Sequence, residues 1–209
     1  LGYRIRATRN LSFDLATFYN VYDDLRGIRP FNGFSSTPPF GPLAPGIPPG
    51  TPVVPGLTLF RPENRMDGEG YGVEIAAHWE VISKWQLSAG YTWLQMNLHV
   101  DSLGVSSDEF AEGDAPQHQF FVQSRLDLPF DFQFDAAVYS VDRLTNPNRS
   151  VDDYVRVDLR LGWRPSRELE LSIGVQNLFD NQHPEFGSGF LVLPTEIQRS
   201  VYGKVTWRF

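Results

Sequence analysis

Hydrophobic and polar residues alternate along most of the chain, and the alternation is clearest in its last segment. Successive side chains on a β-strand point to opposite faces, so this pattern predicts a strand with one apolar and one polar face. The apolar face carries Val201, Gly203, Val205, Trp207 and Phe209, and the polar face carries Ser200, Tyr202, Lys204, Thr206 and Arg208. We therefore expect an all-β fold built from such strands.

Equivalent segments recur upstream, and the pattern predicts about nine strands. They lie near residues 1–8, 11–22, 57–81, 85–93, 120–127, 132–139, 155–164, 169–176 and 197–209. Short connections (9–10, 82–84, 128–130, 165–167) alternate with long ones (27–56, 101–115, 143–150, 180–196). Transmembrane β-barrels place short turns on one side of the membrane and long loops on the other. The alternation therefore favours a transmembrane antiparallel β-barrel over a soluble β-sandwich.

The polar faces of these strands support the same choice. One predicted strand alone carries Arg156, Asp158, Arg160 and Arg164 on its polar face. Burying such charges in a dry sandwich core costs several kcal/mol for each unpaired one. A water-filled barrel lumen removes that cost, so we expect these side chains to face a lumen.

The segment 27–56 breaks the pattern. It holds nine prolines mixed with glycine and serine, and such a composition sustains neither a strand ladder nor a helix. Two interpretations remain open: a linker between two domains, or a long loop extending from one barrel. The alternating pattern returns after it, which favours a single barrel with an extracellular loop at 27–56, and loops of this length are usually functional.

Composition refines this interpretation. The chain has 209 residues, a net charge of -7, 14% aromatic residues and no cysteine, so neither a disulfide framework nor a thiolate metal site is expected. The acidic balance argues against nucleic acid as a partner. Trp85, Trp163 and Trp207 lie close to short turns or to the end of the sequence, as expected of an aromatic girdle on the periplasmic side, whereas Tyr91 and Trp93 suit the opposite girdle.

The first residues already alternate, so we expect the chain to begin inside a strand of a longer protein. An odd number of strands agrees with this, since bacterial barrels have an even number. Nine strands alone also leave two edges without partners in lipid. We therefore expect further strands outside this sequence.

Candidate chemistry is sparse. The four histidines are far apart and have no metal-ligand spacing, and no nucleophile or phosphate-loop motif occurs, so we expect no metal site, no cofactor and no enzyme activity. The acidic loop 101–115 carries Asp101, Asp108, Glu109, Glu112 and Asp114. It is either a cation or lipopolysaccharide bridge or simply a solvated loop, and the second is favoured.

The predicted lumen arginines also leave two roles open. Arg156, Arg160 and Arg164 either guide an anionic iron chelate through the barrel or pair with Asp135, Asp158 and Glu170 across neighbouring strands. Pairing is favoured.

Several motifs resemble one known family, in order along nearly the whole chain. They are Phe18-Tyr-Asn-Val-Tyr-Asp-Asp-Leu25, Tyr71-Gly-Val-Glu-Ile75, Leu87-Ser-Ala-Gly-Tyr-Thr-Trp93, Ala115-Pro-Gln-His118, Leu171-Ser-Ile-Gly-Val-Gln-Asn-Leu-Phe-Asp180 and Ser200-Val-Tyr-Gly-Lys-Val-Thr-Trp-Arg-Phe209. The sequence resembles the C-terminal part of a TonB-dependent outer-membrane receptor. The resemblance implies part of a barrel of about 22 strands, whose N-terminal plug and TonB-contacting segment are not in this sequence.

The resemblance also implies a function. Such receptors sit in the outer membrane of Gram-negative bacteria, contact lipid and lipopolysaccharide, and import siderophore-iron, cobalamin or similar nutrients with energy supplied through TonB. We expect loops 27–56 and 180–196 to capture the ligand. Val205, Trp207 and Phe209 resemble the signal that the barrel-assembly machinery recognises. The alternatives are a smaller passive porin, an outer-membrane enzyme barrel and a soluble all-β binding module.

Overall fold

In a computed structural model, residues 1–31, 59–187 and 195–209 are described. Nine strands form one antiparallel sheet in which each strand pairs with its neighbours in sequence. They are β1 (Gly2–Arg6), β2 (Leu11–Phe31), β3 (Leu59–Ile82), β4 (Trp85–Val100), β5 (His118–Leu128), β6 (Phe132–Val141), β7 (Tyr154–Trp163), β8 (Leu169–Gln176) and β11 (Ser200–Trp207). The short strands β9 (Gln182–Pro184) and β10 (Glu196–Gln198) form a separate hairpin between β8 and β11. The predicted number of main strands is confirmed.

The strand register separates two faces across the whole sheet. One row across six strands is apolar except for one serine and runs Leu15, Ile75, Tyr91, Phe120, Ser140 and Val155. A row on the opposite face runs Gln86, Arg125, Asp135, Arg160, Gly174 and Tyr202. A depression of about 330 Å³ is lined largely by residues of the polar face, taken from β4 to β8 and β11. The sheet therefore curls around its polar face, as a barrel wall with a polar lumen requires.

Aromatic residues mark two levels on the apolar face. Near the long-loop end, Tyr71 stacks on Tyr19 at 6.3 Å and meets Trp93 edge-on at 5.8 Å. Near the short-turn end, Phe132 stacks on Trp163 at 5.7 Å. On β4, eight residues separate Trp85 from Trp93, which is about 27 Å along the strand at roughly 3.4 Å per residue. With the usual tilt this is about 20 Å of height, close to the apolar band of roughly 25 Å in outer-membrane barrels.

Aromatic rings also cover glycines on the polar face. The rings of Phe121 and Tyr202 lie over Gly90 and Gly174 on the neighbouring strands, where a Cβ atom would overlap them. Glycine thus lets each ring lie close to the backbone, which limits how far it extends into the concave side.

Three predictions about the long loops are corrected. Residues 27–31, placed in the long loop, belong to β2, which pairs with β3 up to Phe31 and Leu59; the rest of the predicted 27–56 loop lies outside the described residues. Pro62 lies within β3 opposite Ile28. The backbone N–H and carbonyl of Ile28 bond to the acidic loop instead, so the missing N–H of proline costs nothing to this pair.

The two other corrections concern loops. The acidic loop contains a 3₁₀ helix, Ser106–Asp114. The predicted loop 180–196 contributes β9 and the start of β10, so the closing strand begins at Ser200 rather than at 197. Among the described residues, no helix is long and apolar enough to cross a membrane.

Candidate functional site

The acidic loop crosses the sheet and binds strand edges through its carboxylates. The backbone N–H of Ile28 on β2 donates to Asp108 at 2.5 Å, and Val105 N–H donates to the carbonyl of Ile28 at 3.0 Å. Because β3 lies between β2 and β4, the loop that follows β4 crosses β3 to reach Ile28. The loop therefore joins three strands.

Two more carboxylates complete the upper edge of β4. Strand β5 pairs with β4 only as far as Trp93 and His118, so the last residues of β4 need other acceptors for their N–H groups. Val100 N–H donates to Glu109 at 2.9 Å, and Leu98 N–H donates to Glu112. The 3₁₀ helix thus takes the place of the missing strand.

Asp114 extends the loop's contacts to the connection between β6 and β7. Its carboxylate accepts from Asn146 Nδ2 at 2.7 Å and from Arg149 at 3.2 Å. Asn146 N–H also donates to the carbonyl of Gly113 at 3.2 Å. Two long loops are therefore joined to each other.

Asp101 fixes the start of the acidic loop. Arg65 of β3 donates to it at 2.9 Å, and the backbone N–H groups of Leu103 and Gly104 donate at 2.8 and 3.0 Å. The Arg65 hydrogen bond, followed by that of Leu103, lowers the pKa of Asp101 below its ordinary value.

We call this set of five carboxylates (Asp101, Asp108, Glu109, Glu112 and Asp114) the carboxylate clasp. The sequence favoured a solvated loop, yet each carboxylate has a defined donor. In the described ranges, no group of three or more histidine and acidic side chains is arranged to hold a metal ion.

The concave face near the short-turn end carries a network of arginines and carboxylates. Arg160 donates to Asp135 at 2.7 Å and to Glu170 at 2.5 Å. The guanidinium of Arg125 lies 3.6 Å from the carboxylate of Asp135. The carboxylate of Glu170 also pairs with the guanidinium groups of Arg164 at 3.2 Å and Arg208 at 3.8 Å. Four arginines thus share two carboxylates, which leaves the network with a net charge of +2.

We call this network the arginine wall. The side chains of Arg125, Arg164 and Arg208 are each more than half exposed, whereas Arg160 is 23% exposed. Each guanidinium has five N–H donors, so donors outnumber the carboxylate oxygens available in the network. The outer arginines of the wall therefore keep N–H donors that the two carboxylates do not accept.

The third predicted lumen arginine lies higher on the same face. Arg156 donates twice to Asp158, at 2.9 and 2.8 Å, and lies over the ring of Tyr139 at 5.8 Å. Asp158 also accepts from the backbone N–H of Asn177 at 3.0 Å. The structure thus brings Arg160 and Arg164 together in the wall and ties Arg156 to the end of β8.

The other half of the concave face is formed by small residues. A depression of about 590 Å³ is lined by Gly2, Ala16, Ala76 and Gly90 together with charged residues that include Arg4, Asp14 and Glu74. Arg4 pairs with Asp14 on the neighbouring strand. The two halves of the concave face therefore differ in both side-chain size and charge.

A buried polar cluster supports the base of the last loop. Asn177 is fully buried in the left-handed region (φ 55) and donates to the carbonyl of Ile197 at 3.2 Å. His183 contacts Asn177 at 3.1 Å and Asp180 at 3.2 Å, and its ring stacks on Tyr154 at 4.2 Å. Sequence reasoning noted the Asn177–Asp180 motif but not this role. The signal was an asparagine at a strand end, since asparagine tolerates positive φ.

The remaining predicted site residues are placed as follows. Val205 and Trp207 are exposed on β11, an edge strand of the sheet, and Phe209 follows it, also exposed. In the predicted ligand loops, 32–56 and 188–194 lie outside the described residues.

A family model for the β-barrel of TonB-dependent receptor-like proteins matches residues 1–178. The chain belongs to this family. Solved structures of such receptors have the same fold at low sequence identity. The copper transporter OprC matches with a TM-score of 0.67 and 16% identity over 100% of this chain and 31% of that one.

Two further receptors give the same result. The ferric-catecholate import receptor Fiu from E. coli K12 matches with a TM-score of 0.66 and 16% identity over 97% of this chain and 26% of that one. The pyoverdine outer membrane receptor FpvA from Pseudomonas aeruginosa PAO1, solved with pyoverdine, matches with a TM-score of 0.65 and 20% identity over 96% and 27%. The chain thus spans about a third or less of these receptors and is a portion of a transmembrane antiparallel β-barrel.

Proposed function

We propose that the whole protein is a receptor in the outer membrane of a Gram-negative bacterium that imports an anionic metal chelate, with energy supplied through TonB. The observation that carries the choice of an anionic ligand is the +2 excess of the arginine wall on the concave face. The three similar proteins are named for different ligands: copper, ferric catecholate and pyoverdine. The proposal of an anionic ligand therefore rests on the wall and not on any one of these proteins.

The wall suits this role because charge inside a confined lumen focuses the local field and raises the concentration of opposite charges. Its outer arginines are exposed to the lumen and keep unused donors, whereas Arg160 holds them in place through the two carboxylates. We further propose that Arg156 belongs to the same path and that loops 27–56 and 180–196 capture the ligand before it reaches the wall.

The test is uptake of a radiolabelled anionic ferric chelate by cells that carry the full-length receptor. A double variant, Arg164→Gln with Arg208→Gln, removes two charges from the wall and should raise KM by on the order of 10-fold. The matched control, Arg4→Gln with Arg6→Gln, removes two charges from the other half of the same face and should leave KM within about two-fold.

Two outcomes separate the parts of the proposal. Uptake that continues without TonB contradicts active transport and indicates a passive pore. If uptake depends on TonB but KM changes equally in both double variants, the protein is an active transporter and the proposed role of the wall is wrong. Removing residues 33–56 tests capture, and unchanged uptake would exclude that loop from it.

We also propose that Val205, Trp207 and Phe209 act in assembly rather than in ligand binding. All three are exposed, and alternate residues of an edge strand are available to an assembly factor before the barrel closes. Deleting Phe209 should lower the surface level of the receptor more than ligand affinity per molecule. Normal surface levels of the deletion variant, measured by antibody labelling of intact cells, contradict this.

A further inference from the structure

One short turn differs from the other three in composition. The turns at 7–10, 83–84 and 164–168 carry polar or charged residues at their tips, including Arg9, Lys84 and Arg167. The turn between β5 and β6 instead has Leu128, Pro129 and Phe130 in sequence, followed by Asp131. An apolar tip on one of four similar turns requires its own explanation.

Phe130 is a poor residue for the conformation that this turn adopts. It lies in the left-handed region at φ 61 and ψ 32, and Asp131 follows at φ 60. Hairpin turns with two consecutive positive φ angles normally use Asn-Gly, because a bulky side chain is disfavoured there. The phenylalanine side chain is also 86% exposed, so packing within the described residues does not explain its presence.

The turn continues the apolar face of the sheet. Leu128 and Phe132 face each other across β5 and β6, and Phe132 stacks on Trp163 at the aromatic level near the short turns. Strands β4 and β7 flank the hairpin on either side, so the turn is not at an edge of the sheet. Its tip therefore lies just beyond the aromatic level formed by Phe132 and Trp163.

Cationic residues lie on both neighbouring turns. The carbonyl of Lys84 accepts from Asp127 N–H at 2.8 Å, and Arg164 N–H donates to the carbonyl of Asp131 at 3.0 Å, which brings both neighbours against the apolar turn. Lys84 and Arg167 are exposed. An apolar tip between two exposed cations suits a phospholipid interface, where aromatic rings enter the boundary and long basic side chains reach phosphate.

We propose that Phe130 inserts into the headgroup region of the phospholipid leaflet on the short-turn side and anchors the barrel there, with Lys84 and Arg167 facing lipid phosphates. The cost of the left-handed phenylalanine is then offset by removal of its ring from water. The partner is a phospholipid surface, not a protein.

The experiment uses the full-length receptor in phospholipid nanodiscs, in a background without other free thiols. A Phe130→Cys variant carries an environment-sensitive fluorophore, and Arg9→Cys, at the exposed tip of the turn between β1 and β2, is the matched control. We expect blue-shifted emission at 130 and several-fold stronger quenching by lipids with a nitroxide near the headgroup than at 9. Water-like emission and iodide quenching equal to the control overturn the proposal. So does a label protected from both iodide and the lipid quencher, because protein then covers the turn.

A second variant separates anchoring from turn formation. Phe130→Gly fits the left-handed conformation better than phenylalanine, so it should keep or raise the unfolding temperature in detergent. It should nevertheless weaken quenching of a fluorophore at Leu128→Cys, on the apolar face of β5, by headgroup nitroxides, because the turn has lost its anchor. Unchanged quenching at 128 with the fold intact contradicts an anchoring role.

Discussion

The carboxylate clasp and the arginine wall are both clusters of charged residues, but the structure uses them differently. In the clasp, every carboxylate accepts from a particular backbone N–H, asparagine or arginine, so acceptors and donors are matched. In the wall, four arginines share two carboxylates, so donors remain. The two clusters therefore differ in the number of N–H donors left without an acceptor, and this difference, not the number of charges, is the basis for proposing the wall as a ligand site.

The largest expected effect is at the centre of the wall. Arg160→Gln leaves Asp135 and Glu170 close together without their shared partner, whose side chain is only 23% exposed. Breaking a buried pair costs about 3–5 kcal/mol, and a hydrated lumen reduces this to about 2–3 kcal/mol. The measurement is the free energy of unfolding of the full-length receptor in urea and detergent.

Arg125→Gln is the matched control for this prediction. Arg125 contacts the same Asp135 but is 64% exposed and 3.6 Å away, so its loss should cost less than about 1 kcal/mol. Equal destabilisation by the two variants would show that Arg160 does not organise the wall.

A local effect, with less change in global unfolding, is expected in the clasp. Glu109→Ala with Glu112→Ala leaves the N–H groups of Val100 and Leu98 without their acceptors, at about 1–2 kcal/mol each. Hydrogen exchange should rise at residues 95–112 while global unfolding changes little, and Glu168→Ala on a short turn should change neither. Uptake of the anionic chelate should be unaffected. If it falls as far as in the wall variant, the clasp takes part in binding and the contrast between the two clusters does not hold.

The sequence predicted strands and faces well because alternation is a local property. It placed nine strands and their polar faces, and it indicated Asp135, Asp158 and Glu170 as partners for the arginines. It could not predict the clasp, since Asp108 and Ile28 are 80 positions apart in sequence and meet only when the loop crosses β3. The sequence also ended β2 too early, because proline and glycine normally indicate a loop. Here the prolines lie within the pairing of β2 and β3, and a sequence alone does not show which backbone N–H groups a strand pairing uses.

The smallest expected effect is a pH dependence of the clasp at Asp101. Arg65 and backbone N–H groups lower the pKa of this carboxyl below its unfolded value of 3.8. A lowered pKa means that the charged form stabilises the loop above the unfolded value, and that this contribution is lost as pH falls through the lower, folded value. Amide exchange at Leu103 and Gly104, corrected for intrinsic rates, should therefore rise only below about pH 4. Asp101→Asn should show raised exchange at all pH values and no such rise. Ala89 of β4 and Val122 of β5 pair in a part of the ladder without carboxylates of its own, so exchange there that rises at the same pH would mean that acid loosens the whole barrel rather than the clasp.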